Sequence, residues 1–345
     1  TMKTIMKTLF VSIASLSLML SVNAGELSVS GSAKATYLTT QGQSNIDNTI
    51  GISNELNFTA SGEMDNGFTW SYSMELDPRN TDSGDAANDD TQIAIGMGDM
   101  GTFKICVSEC GNSKEYAFDQ SAYTSMTDTG LSEGITYPSS ELSYATLQYH
   151  TPELPFGTTG HFAYGQTKAD GNSANSQNTT NGDNATFYSL VSKPIDGLTL
   201  SASLYEIEDY DDGKTDETQL EEGGAWGVEY AIANVTLGYG KSYNAPTTTA
   251  AVTAGATTVE YYENTGMSIG FAVNDQLSVS YTSETSEQNF QTSSTASTDI
   301  DMDSIQAAYN LGGATLSIAQ ADYSNISHSE GVDASDTIIA LNFAF

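Results

Sequence analysis

The chain has 345 residues, with 44 Asp and Glu against 10 Lys and Arg and a formal net charge of −34. Charged residues make up only 16% of it, against the roughly 25% usual for soluble domains, so the charges are few and nearly all of one sign. That balance argues against nucleic acid, whose binding rests on Lys and Arg at phosphates, and it favours cations over anions as ligands.

Residues 1–24 read as a secretory signal peptide. Lys3 and Lys7 give a positive start, LFVSIASLSLML (9–20) is an apolar run, and Val22-Asn23-Ala24 is a small-residue cleavage site. The mature protein is then expected to be a single domain over 25–345. Lys3 and Lys7 leave with the peptide while all 44 acids stay, which sharpens the negative charge. No later stretch reaches the roughly 18 apolar residues that mark a membrane helix. An exported chain of this kind spans a bilayer only with strands. Strands span only as a closed barrel, because every backbone N–H and C=O in hydrocarbon needs a partner.

Period-two alternation begins at LSVSGSAKATY (27–37) and is clearest in FTWSYSMEL (68–76). There Phe68, Trp70, Tyr72, Met74 and Leu76 share one face, and Thr69, Ser71, Ser73 and Glu75 the other. The pattern recurs in GLTLSASLY (197–205), NVTLGYG (234–240), MSIGF (267–271), LSVSY (277–281) and DTIIALNFAF (336–345). The polar rows are mostly Ser and Thr, suited to a wet interior lined by neutral hydroxyls. Tight turns rich in Gly, Asn, Asp and Pro fall at 64–67, 98–101, 152–157, 194–197, 231–234, 273–276 and 310–313. Between them lie long polar segments at about 39–48, 78–90, 110–139, 168–184, 207–223, 243–256, 283–298 and 324–335. Seven short connections alternating with eight long ones predict sixteen strands. The expected fold is all-β: a transmembrane antiparallel β-barrel with short periplasmic turns and long extracellular loops.

The chain resembles the general porins of the Gram-negative outer membrane. The likeness is carried by the opening strand ELSVSGSAKA, the GDMGTFKI hairpin with one unusually long third loop after it, and the terminal LNFAF. It runs over nearly the whole mature chain. It implies a homotrimer in the outer membrane, in contact with lipid and lipopolysaccharide, passing small hydrophilic solutes passively. It also implies that the third loop (110–139) folds into the lumen, and that Phe343 and Phe345 form the signal read by the barrel-assembly machinery. Glu115, Asp119, Asp128 and Glu133 are then the acids of the constriction, with Lys114 the only base of that loop. The family usually opposes such acids with clustered arginines. This chain departs from that pattern, since its single arginine, Arg79, falls in the second loop. By alternation the wall offers Lys34, Lys104, Glu55, Glu75 and Glu229. An acid-rich lumen without arginines concentrates cations, so cation preference is expected.

Cys106 and Cys110 are the only cysteines. In an oxidising compartment a pair is expected to bridge. Four residues along a straight strand separate Cα atoms by about 13 Å, too far for a disulfide, so a bridge requires a sharp turn between them, where strand five is expected to bend into the loop. The alternative is two reduced thiols, one in the lumen and one at the loop base. No cofactor and no metal site are expected. His150 and His161 flank a short turn, His328 lies in a loop, and the three do not group into an acid–base or Ser–His constellation. The carboxylates of DYDDGKTDE (209–217) lack the ligand spacing of a calcium loop. An enzyme is therefore not expected. The reading is a diffusion channel; a plugged barrel serving as surface adhesin or structural protein is the alternative, and a secreted soluble β protein a third.

Overall fold

A computed structural model describes residues 27–42, 49–78, 86–107, 133–138, 144–168, 184–208, 219–248, 257–292 and 296–345. Its strands are β1 (Ser28–Gln41), β2 (Thr49–Glu63), β3 (Thr69–Pro78), β4 (Ala86–Gly96), β5 (Thr102–Val107) and β6 (Tyr144–His150). There follow β7 (Thr159–Lys168), β8 (Asn184–Ser192), β9 (Leu198–Glu208), β10 (Glu221–Ile232) and β11 (Val235–Ala245). The rest are β12 (Val259–Ala272), β13 (Leu277–Phe290), β14 (Ile300–Asn310), β15 (Thr315–Ser324) and β16 (Ala334–Ala344). Each strand pairs antiparallel with its sequence neighbours, and β1 pairs with β16, so all sixteen close into one barrel. The backbone requirement that only a closed sheet can meet in hydrocarbon is thereby satisfied.

The seven expected turns join β2–β3, β4–β5, β6–β7, β8–β9, β10–β11, β12–β13 and β14–β15, all at one end of the barrel. Asparagine side chains order several of them, accepting from the backbone N–H of Phe68 (Asn66), Leu277 (Asn274) and Gly312 (Asn310) at 2.7–3.1 Å. Gly197 takes a φ of 76°, and a Cβ there would stand 2.2 Å from the carbonyl oxygen of Ala231.

At the other end the strands run further than apolar alternation indicated. β1 reaches Gln41, β4 starts at Ala86 and β13 continues to Phe290. The first two connections at that end, 42–48 and 79–85, are consequently shorter than the 151–158 turn. In β13 the residues from Thr285 to Gln288 are polar on both rows, yet they keep their ladder with β12. Beyond the hydrocarbon a strand needs no apolar face, so its pattern fades while its hydrogen bonds persist.

One row of each strand carries exposed apolar side chains, as in Leu237 and Tyr239 of β11, Met267 and Ile269 of β12, and Leu316 and Ile318 of β15. The row between them is mostly buried: Ser242 and Asn244, Asn264 and Ser268, Ala319 and Ala321. The exposed apolar row meets lipid and the other faces the lumen. On β16 the lipid row is Thr337, Ile339, Leu341, Phe343 and Phe345. Phe345 exchanges two backbone hydrogen bonds with Gly31 of β1, at 2.7 and 2.9 Å. Its ring lies over Gly31, where an added Cβ would come within 2.8 Å of it. The last residue thus fastens the seam where the barrel closes.

Candidate functional site in the barrel lumen

Lys34 on β1 and Glu55 on β2 lie on the inward rows, diagonally across the β1–β2 ladder, and line one cavity with Thr36, Thr49, Ser53 and Ile338. Lys104 on β5 sits between Ala94 and Gln148. Glu75 on β3 faces Asn57 of β2. Glu229 on β10 lies between Thr199 and Gly238, on the row opposite the lipid-facing Trp226. All five wall residues singled out by alternation therefore sit on lumen rows, spread around the barrel without gathering at one point.

Of the four acids expected at the constriction, Glu133 is described; Glu115, Asp119 and Asp128 lie outside the described residues. So do Lys114 and Arg79. Glu133 begins the segment 133–138, which follows β5 and precedes β6 but is tied to strands five or more positions around the barrel. The Asn264 side-chain amide donates to the Thr136 carbonyl at 2.9 Å, and that of Asn244 donates to the Tyr137 carbonyl at 2.8 Å. The Tyr137 hydroxyl donates to Glu284 at 3.0 Å, and the Ser327 N–H donates to the Glu133 carbonyl at 2.8 Å. Asn244, Asn264 and Glu284 belong to lumen rows of β11, β12 and β13. Residues 133–138 thus lie inside the barrel, against its far wall. Gly134, at φ 89°, allows the approach: a Cβ on it would stand 2.5 Å from the Ser327 Cα.

Ile135 explains a feature that sequence reading missed. It packs into a buried apolar patch on the inner wall made by Leu38, Ile300, Met302, Tyr323 and Ile338. A second inner patch, Ala163, Ala185, Phe187, Tyr205 and Ile207, lies on β7–β9 with the Phe187 and Tyr205 rings stacked at 5.9 Å. The expectation of a lumen lined by hydroxyls holds at Ser201 and Ser203 of β9, Ser242 of β11, Ser268 of β12 and Ser280, Thr282 and Ser286 of β13; these two patches depart from it. Alternation puts Ile339 in the aromatic row and Ile338 on the other. It does not show that Ile338 meets apolar partners inside, because Leu38, Ile300, Met302 and Tyr323 come from other strands that only the closed barrel brings together.

Two further expectations concern ligating residues. Cys106 is buried and disulfide-bonded; the chain's other cysteine, Cys110, lies outside the described residues. The histidines were expected not to group, and this is corrected for two of them. His150 and His161 are direct partners across the β6–β7 ladder, with His161 Nδ1 3.1 Å from His150 Nε2. A tight turn brings residues eleven apart into register, which spacing on paper did not convey. His328 stays apart, with Nδ1 2.8 Å from the Thr298 carbonyl oxygen. Among the described residues no group of three or more His, Cys, Asp or Glu is placed to hold a metal ion.

No protein-family model matches the sequence, and no curated protein matches it. Solved structures do. A porin refined at 1.8 Å resolution superposes with a TM-score of 0.64 at 14% identity, covering 93% of this chain and 100% of that one. The fold is that of the porins. An anion-selective porin from Comamonas acidovorans gives a TM-score of 0.65 at 10% identity, over 93% of this chain and 100% of its own. OmpF of Salmonella typhi, in complex with daunomycin, gives 0.62 at 14% identity, over 92% and 98%. The porin barrel is therefore shared at identities where few side chains are, and what its lumen passes is decided by residues particular to each chain.

Proposed function

We propose that the protein is a passive diffusion channel of the outer membrane, passing small hydrophilic solutes and ions with a preference for cations. The observation that carries this is the closed porin barrel with apolar rows outward, polar rows inward, and residues 133–138 held inside it. Residues 1–24 direct export, the chain assembles as a homotrimer in lipid and lipopolysaccharide, and Phe343 and Phe345 mark the last strand for the assembly machinery. Glu115, Asp119 and Asp128 act with Glu133 as the acids of the constriction.

Cation preference rests on the charges of the inner rows. Glu55, Glu75, Glu229 and Glu284 lie on inward rows, with Glu133 on the crossing segment, against Lys34 and Lys104. Low-dielectric walls focus such a field and raise the local concentration of counter-ions. The same barrel serves an anion-selective porin, so the sign must come from these side chains. Transport needs no bond chemistry: solutes are sieved by width and by the field.

The test is a planar-bilayer recording of the purified protein in a KCl gradient. Open channels in triplet steps, with a reversal potential near that of potassium, are expected. A reversal potential near that of chloride would overturn the selectivity, and an assembled barrel without conductance would overturn the channel and leave the plugged-barrel reading.

A further inference from the structure

Near the short-turn end of the lumen, three electronegative atoms converge. His150 is the last residue of β6 and His161 the third of β7, both on inward rows. His161 Nδ1 and Gln148 Oε1 lie 3.1 and 3.0 Å from His150 Nε2. The Gln148 amide nitrogen donates to Thr146 Oγ1 at 2.9 Å, which fixes the amide with its oxygen toward the histidine. His161 and Gln148 are 5% and 1% exposed, so both are held in place by the wall, while His150 is only half-buried and opens toward the lumen.

We propose that His150 and His161 form a binding site for a divalent transition-metal ion of the kind that prefers imidazole, Cu(II) or Ni(II) before Zn(II). Two imidazole nitrogens that each bind a metal at about 2.1 Å and sit 3.1 Å apart subtend an angle of roughly 95° at the ion. That is close to the cis angle of tetragonal Cu(II) and Ni(II), and below the tetrahedral angle zinc favours. The Gln148 oxygen offers a weaker third ligand and lumen water the rest. In the metal-free pair one ring carries its proton on the nitrogen facing the other ring. For a metal ion to bind there, that proton shifts to the far nitrogen of the same ring, Nδ1 of His150 or Nε2 of His161. Both rings then turn a lone pair to the ion as neutral imidazoles, and no proton is released. Lys104, paired with Gln148 on β5, is the charge that opposes occupancy. With no third His, Cys or carboxylate gathered there among the described residues, the ion exchanges readily and does not stay as a structural metal.

The site is tested by titrating CuCl2 into the folded protein, prepared in detergent without a histidine tag, and recording the electron paramagnetic resonance spectrum. This readout does not depend on conduction, so it stands apart from the channel assignment. At one ion per chain, a signal with two nitrogen ligands is expected. His150→Gln and His161→Gln should each lose the two-nitrogen signal and weaken binding at least tenfold, while His328→Gln leaves both unchanged. His161 is buried, so if its variant fails to fold, the half-exposed His150→Gln decides alone. A wild-type spectrum with one nitrogen or none, or undiminished binding by His150→Gln, would show a hydrogen-bonded pair only and overturn the site.

Discussion

Releasing residues 133–138 from the far wall should change the pore without unfolding the barrel. Two amides hold this segment's backbone, Asn264 on Thr136 and Asn244 on Tyr137, at 2.9 and 2.8 Å. Asn264 is fully buried, so replacing it by alanine leaves the Thr136 carbonyl without this donor and without easy access to water. Taking ~1.5 kcal/mol for each bond, the double substitution Asn244→Ala with Asn264→Ala shifts the balance by ~3 kcal/mol. At ~1.4 kcal/mol per decade this is about a hundredfold in the population of detached segments. Ile135, the Tyr137 hydroxyl and the Ser327 N–H still hold it, so detachment is expected as brief excursions. In single-channel records these would appear as added open-channel noise and a larger mean conductance. The backbone ladder does not use either side chain, and among the described residues only the Asn264 amide bond to Ser242 Oγ, at 3.3 Å, is lost with them across the strands. The thermal midpoint of the barrel should therefore fall only slightly. Adding Ile135→Ala should amplify the effect, since emptying a buried isoleucine costs about 2–5 kcal/mol. If the double variant assembles normally and its conductance and noise match the unsubstituted channel, these two amides do not hold the segment.

The remaining predictions concern the seam, a turn and the two sides of the wall. Phe345→Ser removes the ring that covers Gly31, and a sharp fall in heat-modifiable protein recovered from the outer membrane is expected; normal recovery would deny Phe345 its role. Ala233 holds a φ of 53° in the β10–β11 turn, a conformation that costs a non-glycine residue roughly 1–2 kcal/mol. Ala233→Gly should therefore raise stability against urea by up to about that amount, and a lower midpoint would refute the strain. Lys241 is bonded to Glu263 at 2.6 Å on the lipid-facing row. Lys241→Met leaves Glu263 without this partner on the lipid-facing row, so stability against urea should fall, while the reversal potential should stay nearly unchanged because neither side chain lies on a lumen row. Lys104→Met, on the lumen row, should move the reversal potential further toward that of potassium; equal responses from the two lysines would mean that the rows have been assigned to the wrong sides.

Much of this architecture was legible because a membrane barrel writes itself along the chain at period two. The rows of 68–76, the seven tight turns and the alternating row of 336–345 each follow from local requirements. Lipid demands apolar side chains at every second position, and a reversal of direction demands Gly, Asn or Asp where the backbone turns. Counting those turns yields the strand number, and nothing non-local is needed for it. The strand ends near the long connections were less legible, because in water the ladder of β13 continues through Ser286 and Gln288 without an apolar row to advertise it. What only the tertiary structure decided is what meets across the lumen. Ile135 rests on Leu38 and Ile338, Asn264 reaches Thr136, and His150 stands beside His161. Such contacts depend on closure and register, which place residues far apart in sequence on facing walls. A polar side chain at an inward position looks the same in the sequence whether it meets water, a crossing segment or another ligand, and only the shape of the closed barrel separates the three.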